Sequence, residues 1–160
     1  MMIEIITTGG TIDKIYFDAK SSYEIGEPQI ENVLREANIT IDYRITPLFR
    51  KDSLDLSDAD RELIKKVVSE SAAERIVITH GTDTMIKTAQ WLQDVSGKTI
   101  VLTGAMQPAR FRFTDAIYNI ASAITSVQLL PPGVWIAMNG KIFAPASSRK
   151  NVAMNRFENI

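Results

Sequence analysis

Short apolar runs alternate along the chain with longer amphipathic stretches. The runs at residues 3–7, 75–79 and 99–103 are dominated by β-branched and other apolar side chains, a pattern typical of strands buried on both faces. Between them, apolar residues recur three or four positions apart, which predicts amphipathic helices. A chain in which such strands alternate with helices is expected to form a three-layer α/β fold with a doubly wound, mostly parallel sheet.

A polar cap and an apolar stripe mark the clearest predicted helix. Ser57 opens this helix, and Asp60 three residues later completes a variant of the capping box. Its predicted apolar stripe comprises Leu63, Ile64, Val67 and Val68. Further helices are predicted over residues 30–34, from residue 83 or 84 through residue 92, and over residues 115–127.

The remaining stretches differ in how clearly they predict structure. Alternating apolar and polar positions predict a half-buried strand over residues 39–49. Two short strands are predicted over residues 134–139 and 141–144, and the Asn139-Gly140 sequence at their junction predicts a tight hairpin. The polar stretch 13–28 is predicted to be a long loop of the kind that forms a lid or binding loop. Residues 147–160 lack periodicity and fit a lid, a short helix or a frayed end.

Composition excludes several kinds of function. The chain of 160 residues has no cysteine and one histidine, which rules out disulfides, cysteine-based metal centres and multi-histidine metal sites. Its net charge of −1 gives no electrostatic reason to expect binding to nucleic acid or to an anionic membrane. We therefore expect one domain over residues 1–160, without a metal or cofactor. No segment predicts a signal peptide or a transmembrane helix, so a cytoplasmic location is expected.

Two threonine-glycine turns carry the candidate chemistry. Residues 8–11 (Thr-Gly-Gly-Thr) follow the first predicted strand, and residues 80–84 (His-Gly-Thr-Asp-Thr) follow the strand at 75–79. If both strands are parallel members of one sheet, both turns lie at the same edge, where open α/β sheets bind ligands. Gly9 and Gly10 allow positive φ, and their N–H groups could face an anion or an oxyanion. A threonine hydroxyl is a weak nucleophile that needs a base or a polarised setting.

Each of these residues also has a purely structural interpretation. Asp83 could cap the following helix, and a buried structural role is favoured for His80 over that of a catalytic base. Lys150 is either an ordinary surface lysine or a desolvated lysine that serves as a base. Nucleotide binding is a weak alternative, because the first turn lacks the third glycine of G-x-G-x-x-G and the lysine of a P-loop.

Together the turns resemble a known set of motifs. Thr8-Gly9-Gly10-Thr11-Ile12 resembles the first signature of the bacterial-type L-asparaginase family, and His80-Gly81-Thr82-Asp83-Thr84-Met85 resembles the second. Residues 101–106 resemble the strand and turn that follow it. The resemblance covers nearly all of this chain but only the first half of a full-length asparaginase. It implies the fold of the family's N-terminal domain.

The resemblance also implies a role for each matching residue. Thr11 falls on the nucleophile, Tyr23 on a mobile-loop tyrosine that assists proton movement, and Ser53 on the serine that binds the substrate carboxylate. Thr82 and Lys150 correspond to the pair that holds the hydrolytic water, and Asp83 to the residue that binds the substrate α-ammonium. The backbone at Gly10 and Gly81 is expected to approach the substrate.

The function implied is hydrolysis of the side-chain amide of asparagine, or of a related small amide, through an acyl-threonine intermediate. The family's sites lie at subunit interfaces, which implies a homo-oligomer. Two departures matter: the C-terminal domain that completes the neighbouring subunit's site has no counterpart here, and Leu54 stands where some members carry a polar residue. These departures keep two alternatives open, a non-catalytic amino-acid-binding module and a component of a larger amidotransferase.

Overall fold

A six-stranded sheet forms the centre of the computed structural model, which describes residues 1–160. Its strands are β1 (Met2–Gly9), β4 (Asp42–Lys51), β5 (Arg75–Thr79), β6 (Thr99–Thr103), β7 (Gly133–Met138) and β8 (Lys141–Phe143). Two separate hairpins complete the strands: β2 (Lys14–Phe17) with β3 (Ser22–Ile25), and β9 (Ser148–Asn151) with β10 (Arg156–Asn159). The helices are α1 (Ile30–Glu36), α2 (Asp58–Glu70), α3 (Met85–Trp91) and α4 (Ala116–Leu129).

The order of the strands creates a switch point beside β1. The sheet runs β4-β1-β5-β6-β7-β8, and only the β7–β8 pair is antiparallel. From β1 the chain first crosses to β4 on one side and then returns to β5 on the other. The carboxyl ends of β1 and β5 therefore flank the crevice where doubly wound sheets bind ligands. Thr7 and Thr79 are register partners at these ends.

The helices bury one apolar core on each face of the sheet. Side chains of α2 and α3, among them Ile64 and Met85, pack on one face, and side chains of α1 and α4, among them Leu34 and Ile120, pack on the other. The result is a three-layer α/β fold, as the sequence predicts. None of the four helices has both the length and the apolar character needed to cross a bilayer.

Local sequence signals account for several boundaries. The predicted strands at 75–79 and 99–103 match β5 and β6 residue for residue. At the start of α2, the Ser57 side chain accepts the N–H of Asp60, whose own carboxylate accepts the N–H of Ser57. Asn139 and Gly140 adopt positive φ of 53° and 73°, the conformation that a tight two-residue hairpin requires.

Three predictions of local structure are wrong. The stretch 13–28 is not a loop but carries the β2–β3 hairpin, and residues 148–159 form the β9–β10 hairpin instead of a helix or a frayed end. The strand predicted over 39–49 begins three residues later and extends to Lys51. Both hairpins are stabilised by pairing within themselves, as between Tyr16 and Tyr23, and a single strand's periodicity does not reveal such pairing.

Candidate active site

The two threonine-glycine turns touch through their backbones. Gly10 has φ +88°, and a Cβ added there would lie 2.5 Å from the Cα of Gly81. A Cβ on Gly81 would in turn lie 2.7 Å from the Cβ of Ser53. Only glycine permits approaches this close. The segments that carry Thr11, Thr82 and Ser53 are therefore packed into one locus at the carboxyl edge of the sheet.

The backbone donors at this locus differ from the sequence-based expectation. The N–H of Gly10 donates to the carbonyl of Lys51 at 2.9 Å, so it is not free to face an oxyanion as expected. In contrast, the N–H groups of Gly81, Thr82 and Asp83 make no hydrogen bond within the fold. The second turn therefore offers three backbone N–H groups to an anion.

The two threonines of the first turn have different environments. Thr8 is fully buried, and its hydroxyl donates to the carbonyl of Thr79 at 2.9 Å, which ties the end of β1 to the end of β5. Thr11 begins a single 3₁₀ turn, Thr11–Asp13, and is only half-buried. Its hydroxyl makes no hydrogen bond within the fold. Thr8 is a scaffold residue, whereas the Thr11 hydroxyl is available for chemistry.

Lys150 joins the β9–β10 hairpin to the second turn. Its Nζ lies 2.8 Å from Thr82 Oγ1 and 2.7 Å from Asp83 Oδ1. The Lys150 side chain is 15% exposed and the Asp83 side chain 42% exposed, so the cluster is sheltered on one side and open on the other. A hydroxyl, an ammonium and a carboxylate in contact can bind and polarise a small polar molecule.

Tyr23 is not brought into hydrogen-bond contact with Thr11. It lies on β3 with its side chain half-exposed, and its ring packs at 5.4 Å from that of Tyr16 and 5.6 Å from that of Phe111. The hairpin that carries it starts directly after the Thr11 turn. In this structure Tyr23 therefore belongs to a surface aromatic cluster beside the site.

Ser53 is buried rather than open to a ligand. It is 1% exposed, and its Oγ accepts the N–H of Thr84 at 3.2 Å, so it holds the start of α3. The hydroxyl retains a proton to donate. The next residue, Leu54, is 70% exposed and presents an apolar side chain to solvent.

His80 has a structural environment. It is fully buried, its Nδ1 lies 2.7 Å from the carbonyl of Gly81, and its Nε2 lies 2.8 Å from Thr88 Oγ1. Burial, with a smaller contribution from the positive charge of Arg61, lowers the pKa of His80 to about 4. The imidazole is neutral near pH 7, and both of its nitrogens are engaged within the fold.

Two buried polar residues near the site escape the sequence analysis. Asp13, in the 3₁₀ turn of Thr11, is 2% exposed, and its Oδ1 accepts the N–H of Gln29 at 2.9 Å. Burial raises the pKa of Asp13 to about 7, although the hydrogen bond from Gln29 and the charge of Arg50 act against this. The other residue is Arg61, which lies on the buried face of α2.

The largest cavity lies away from this cluster. It has a volume of about 750 Å³ and lies between α1 and residues 109–112. None of Thr11, Thr82, Asp83 or Lys150 lines it. We assign the candidate site to the cluster at the sheet edge, because the unpaired donors and the lysine meet there and the turn that carries Thr11 packs against it.

The fold and the site together define a doubly wound α/β domain with a polar site at the switch point of its sheet. A family model described as "Asparaginase, N-terminal" matches residues 2–158. The chain therefore belongs to the asparaginase family and corresponds to its N-terminal domain.

Individual relatives agree with this assignment. The chain is 32% identical over 168 residues to a glutaminase-asparaginase of Acinetobacter glutaminasificans, covering 94% of this chain and 50% of the relative. The solved thermostable L-asparaginase from Thermococcus kodakarensis superimposes with a TM-score of 0.85 at 26% identity, covering 100% of this chain and 51% of that one. One component of the glutamyl-tRNA(Gln) amidotransferase of Methanococcus vannielii is 42% identical over 83 residues, covering 51% of this chain and 19% of the relative. The chain thus spans about half the length of the full-length asparaginases it matches.

Proposed function

We propose that this protein hydrolyses the side-chain amide of asparagine or of a related small amide, with Thr11 as the nucleophile. The observation that carries the proposal is the contact of Lys150 Nζ with both Thr82 Oγ1 and Asp83 Oδ1, in the turn against which the half-buried Thr11 turn packs. Membership of the asparaginase family supports the same reaction class.

The proposed reaction has two halves. The Thr11 hydroxyl attacks the amide carbon, and the oxyanion that forms accepts hydrogen bonds from the unpaired N–H groups of the second turn. The carbon–nitrogen bond then breaks, and the leaving nitrogen takes the proton given up by Thr11 to depart as ammonia. Water next attacks the ester on Thr11, which releases the carboxylic acid and restores the hydroxyl.

The proposal gives the neighbouring side chains distinct roles. Thr82 and Lys150 hold the attacking water, since the ammonium orients the Thr82 hydroxyl by direct hydrogen bonding. Tyr23 assists proton transfer at Thr11 when the β2–β3 hairpin closes over the site. No cofactor or metal takes part.

Substrate recognition is assigned to the same turn. Lys150 engages only Oδ1 of Asp83, which leaves Oδ2 of this half-exposed carboxylate for a substrate ammonium. The Ser53 hydroxyl retains a proton that could be donated to a substrate carboxylate. Leu54 supplies no polar partner beside it, and an under-paired charge binds weakly. We therefore expect asparagine to be a poor substrate relative to smaller or less polar amides.

A homo-oligomer is part of the proposal. The Asp83 carboxylate is open to solvent on one side, and a second protomer is the expected cover. Sedimentation combined with an activity assay tests this, since a monomer with full activity would contradict it.

Ammonia release is the direct test of the function. Purified wild type should release ammonia from at least one of asparagine, glutamine or a small aliphatic amide, and Thr11→Ala should not. Thr8→Ala serves as a matched control for loss of a threonine from the same turn, with circular dichroism to confirm folding. Equal rates for wild type and Thr11→Ala with every amide would refute the proposal.

A second function is favoured by one observation. The stretch of 83 residues that is 42% identical to an amidotransferase component points to a role in supplying ammonia to a partner protein. This predicts stable co-purification with another polypeptide, and amide hydrolysis by the isolated chain at full rate would argue against it.

A further inference from the structure

A buried arginine lies behind the second turn. Arg61 is 2% exposed, although a guanidinium is rarely buried without a specific set of partners. It donates to three uncharged acceptors: Thr88 Oγ1 at 3.1 Å, Thr84 Oγ1 at 2.9 Å and the Leu56 carbonyl at 3.0 Å. Thr84 and Thr88 lie at the start of α3 and Leu56 lies just before α2, so one side chain cross-links the starts of these two helices.

One branch of this network leads to the start of the turn. Because a carbonyl oxygen only accepts, the proton of the His80 imidazole is on Nδ1, where it bonds to Gly81. Nε2 must then accept from the Thr88 hydroxyl, whose oxygen accepts the Nε–H of Arg61. The hydrogen bonds thus run in one direction from Arg61 to the carbonyl of Gly81, next to Thr82.

The other branch leads to the end of the turn. Thr84 Oγ1 accepts from Arg61 and donates to the carbonyl of Ser53 at 2.8 Å. The N–H of Thr84 donates to the Ser53 hydroxyl. Both ends of residues 80–84, and the Ser53 segment packed against Gly81, are therefore held by one guanidinium.

The charge of Arg61 is not matched by a buried carboxylate. Asp58 approaches it at 3.5 Å, but that carboxylate is 62% exposed and also pairs with Lys87 at 3.1 Å. The guanidinium is therefore solvated mainly by neutral hydroxyl and carbonyl oxygens. Hydrogen bonds to all of these oxygens require the planar guanidinium with its several N–H donors. A lysine ammonium cannot reproduce this geometry.

We propose that Arg61 is a positioning residue that sets the conformation of the Thr82–Asp83 turn through Thr88, His80 and Thr84. The proposal builds on the hydrolytic function proposed above, in which Thr82 and Asp83 contact water and substrate. Arg61 itself touches neither.

The test combines spectroscopy and kinetics on Arg61→Lys in the full chain. His80 is the sole histidine, so ¹⁵N-labelled histidine gives one imidazole whose tautomer reports this network. We expect the variant to lose the single Nδ1–H tautomer and to shift the amide signals of residues 81–83. We also expect kcat for the best amide to fall at least about tenfold, with KM changing less than about threefold. An unchanged tautomer and unshifted turn amides in folded Arg61→Lys would overturn the proposal.

A control variant and a replacement pair of variants accompany Arg61→Lys. Arg35→Lys alters an exposed arginine on α1 that bonds only to Asn32, and it should change none of these readouts. If Arg61→Lys does not fold, Thr88→Val and Thr88→Ser replace it, since the first removes the relaying hydroxyl and the second keeps it. Matching spectra for these two variants would also overturn the proposal. If wild type releases no ammonia, the hydrolytic function fails, but the spectra still decide whether Arg61 positions the turn.

Discussion

Two buried titratable side chains, Asp13 and His80, should change the stability of this protein in opposite directions as the pH rises. Burial raises the pKa of Asp13 from 3.8 to about 7, so the folded state binds this proton more tightly than the unfolded state. Stability from Asp13 is therefore fully present below pH 3.8 and is lost as the pH rises to about 7. The loss amounts to about 4 kcal/mol in all, at ~1.4 kcal/mol per pH unit.

His80 has the opposite effect. Burial lowers its pKa from 6.5 to about 4, so here the unfolded state binds the proton more tightly. Stability rises with pH between these values by about 3 kcal/mol in all, again at ~1.4 kcal/mol per unit. Over the range from about 4 to 6.5 the two slopes cancel. The lowered pKa values of the carboxyls of Glu4, Asp60, Asp94 and Glu158 affect stability only at more acidic pH, around and below their unfolded values of 4.5 for glutamate and 3.8 for aspartate.

In Asp13→Asn, the pH dependence of the free energy of unfolding should show the contribution of His80 without that of Asp13. The asparagine oxygen can still accept the N–H of Gln29, but the side chain no longer titrates. Urea unfolding followed by tryptophan fluorescence should give wild type a nearly flat free energy of unfolding from about pH 5 to 6.5. In Asp13→Asn the same quantity should rise by about 2 kcal/mol over that interval.

A matched variant makes the comparison specific. Asp18→Asn removes a carboxylate that is exposed to water, and its profile should match that of wild type. A wild-type profile that rises as steeply as that of Asp13→Asn would mean that the Asp13 carboxyl does not hold its proton in the fold, and a flat profile in Asp13→Asn would mean that the pKa of His80 is not lowered; either result would contradict the reasoning from burial.

Single contacts in the structure support three further predictions. Ser57→Ala removes the capping box at the start of α2 and should lower the free energy of unfolding by about 1 kcal/mol in urea titrations, whereas no change would contradict the capping role. Gly10→Ala forces a side chain into the Gly81 backbone at φ +88°, so we expect the amide signals of residues 81–83 to shift and ammonia release to be lost; an unperturbed spectrum would contradict the close approach. Lys150→Met should reduce amide hydrolysis by about 100-fold or more while the protein stays folded, and full activity would exclude a catalytic lysine.

The central sheet is predictable from sequence because its strands are buried on both faces and end in distinctive turns. The strands predicted over residues 75–79 and 99–103 each contain three consecutive apolar residues, and the structure matches their bounds without adjustment. The hairpins at 14–25 and 148–159 are not predictable in the same way. Their stability depends on cross-strand partners such as Tyr16 and Tyr23, whose pairing is fixed by the fold and not by local periodicity.

The residues of the candidate site likewise divide into those that the sequence identifies and those that it does not. Motif resemblance selects Thr82, Asp83 and Lys150, and Lys150 contacts the other two although it lies 68 and 67 residues away in sequence. Their roles stay predictions. The hydrophobic pattern does not identify Arg61 as buried, because a charged residue is not expected on the buried face of α2. Its spacing from Ile64 and Val68 places it on the buried face, whereas Leu63, which the pattern predicts to be buried, is 41% exposed.

The position of Tyr23 on the β2–β3 hairpin is not predictable from the sequence. Resemblance assigns Tyr23 a role beside Thr11, but in this structure the ring packs with Tyr16 and Phe111. Closure of the hairpin over the site depends on the contacts that it makes with a bound ligand. The sequence pattern does not show these contacts. Trapping a substrate complex in a crystal would show the hairpin's position directly.

The measurement that tests the central claim most directly is capture of the covalent intermediate. The protein is mixed with the amide that it hydrolyses fastest, quenched in acid within milliseconds, and digested for mass spectrometry. We predict one acyl group on the peptide that contains Thr11, and none in Thr11→Ala. Ammonia release with no acylation of Thr11, or with the acyl group on another residue, would contradict the account.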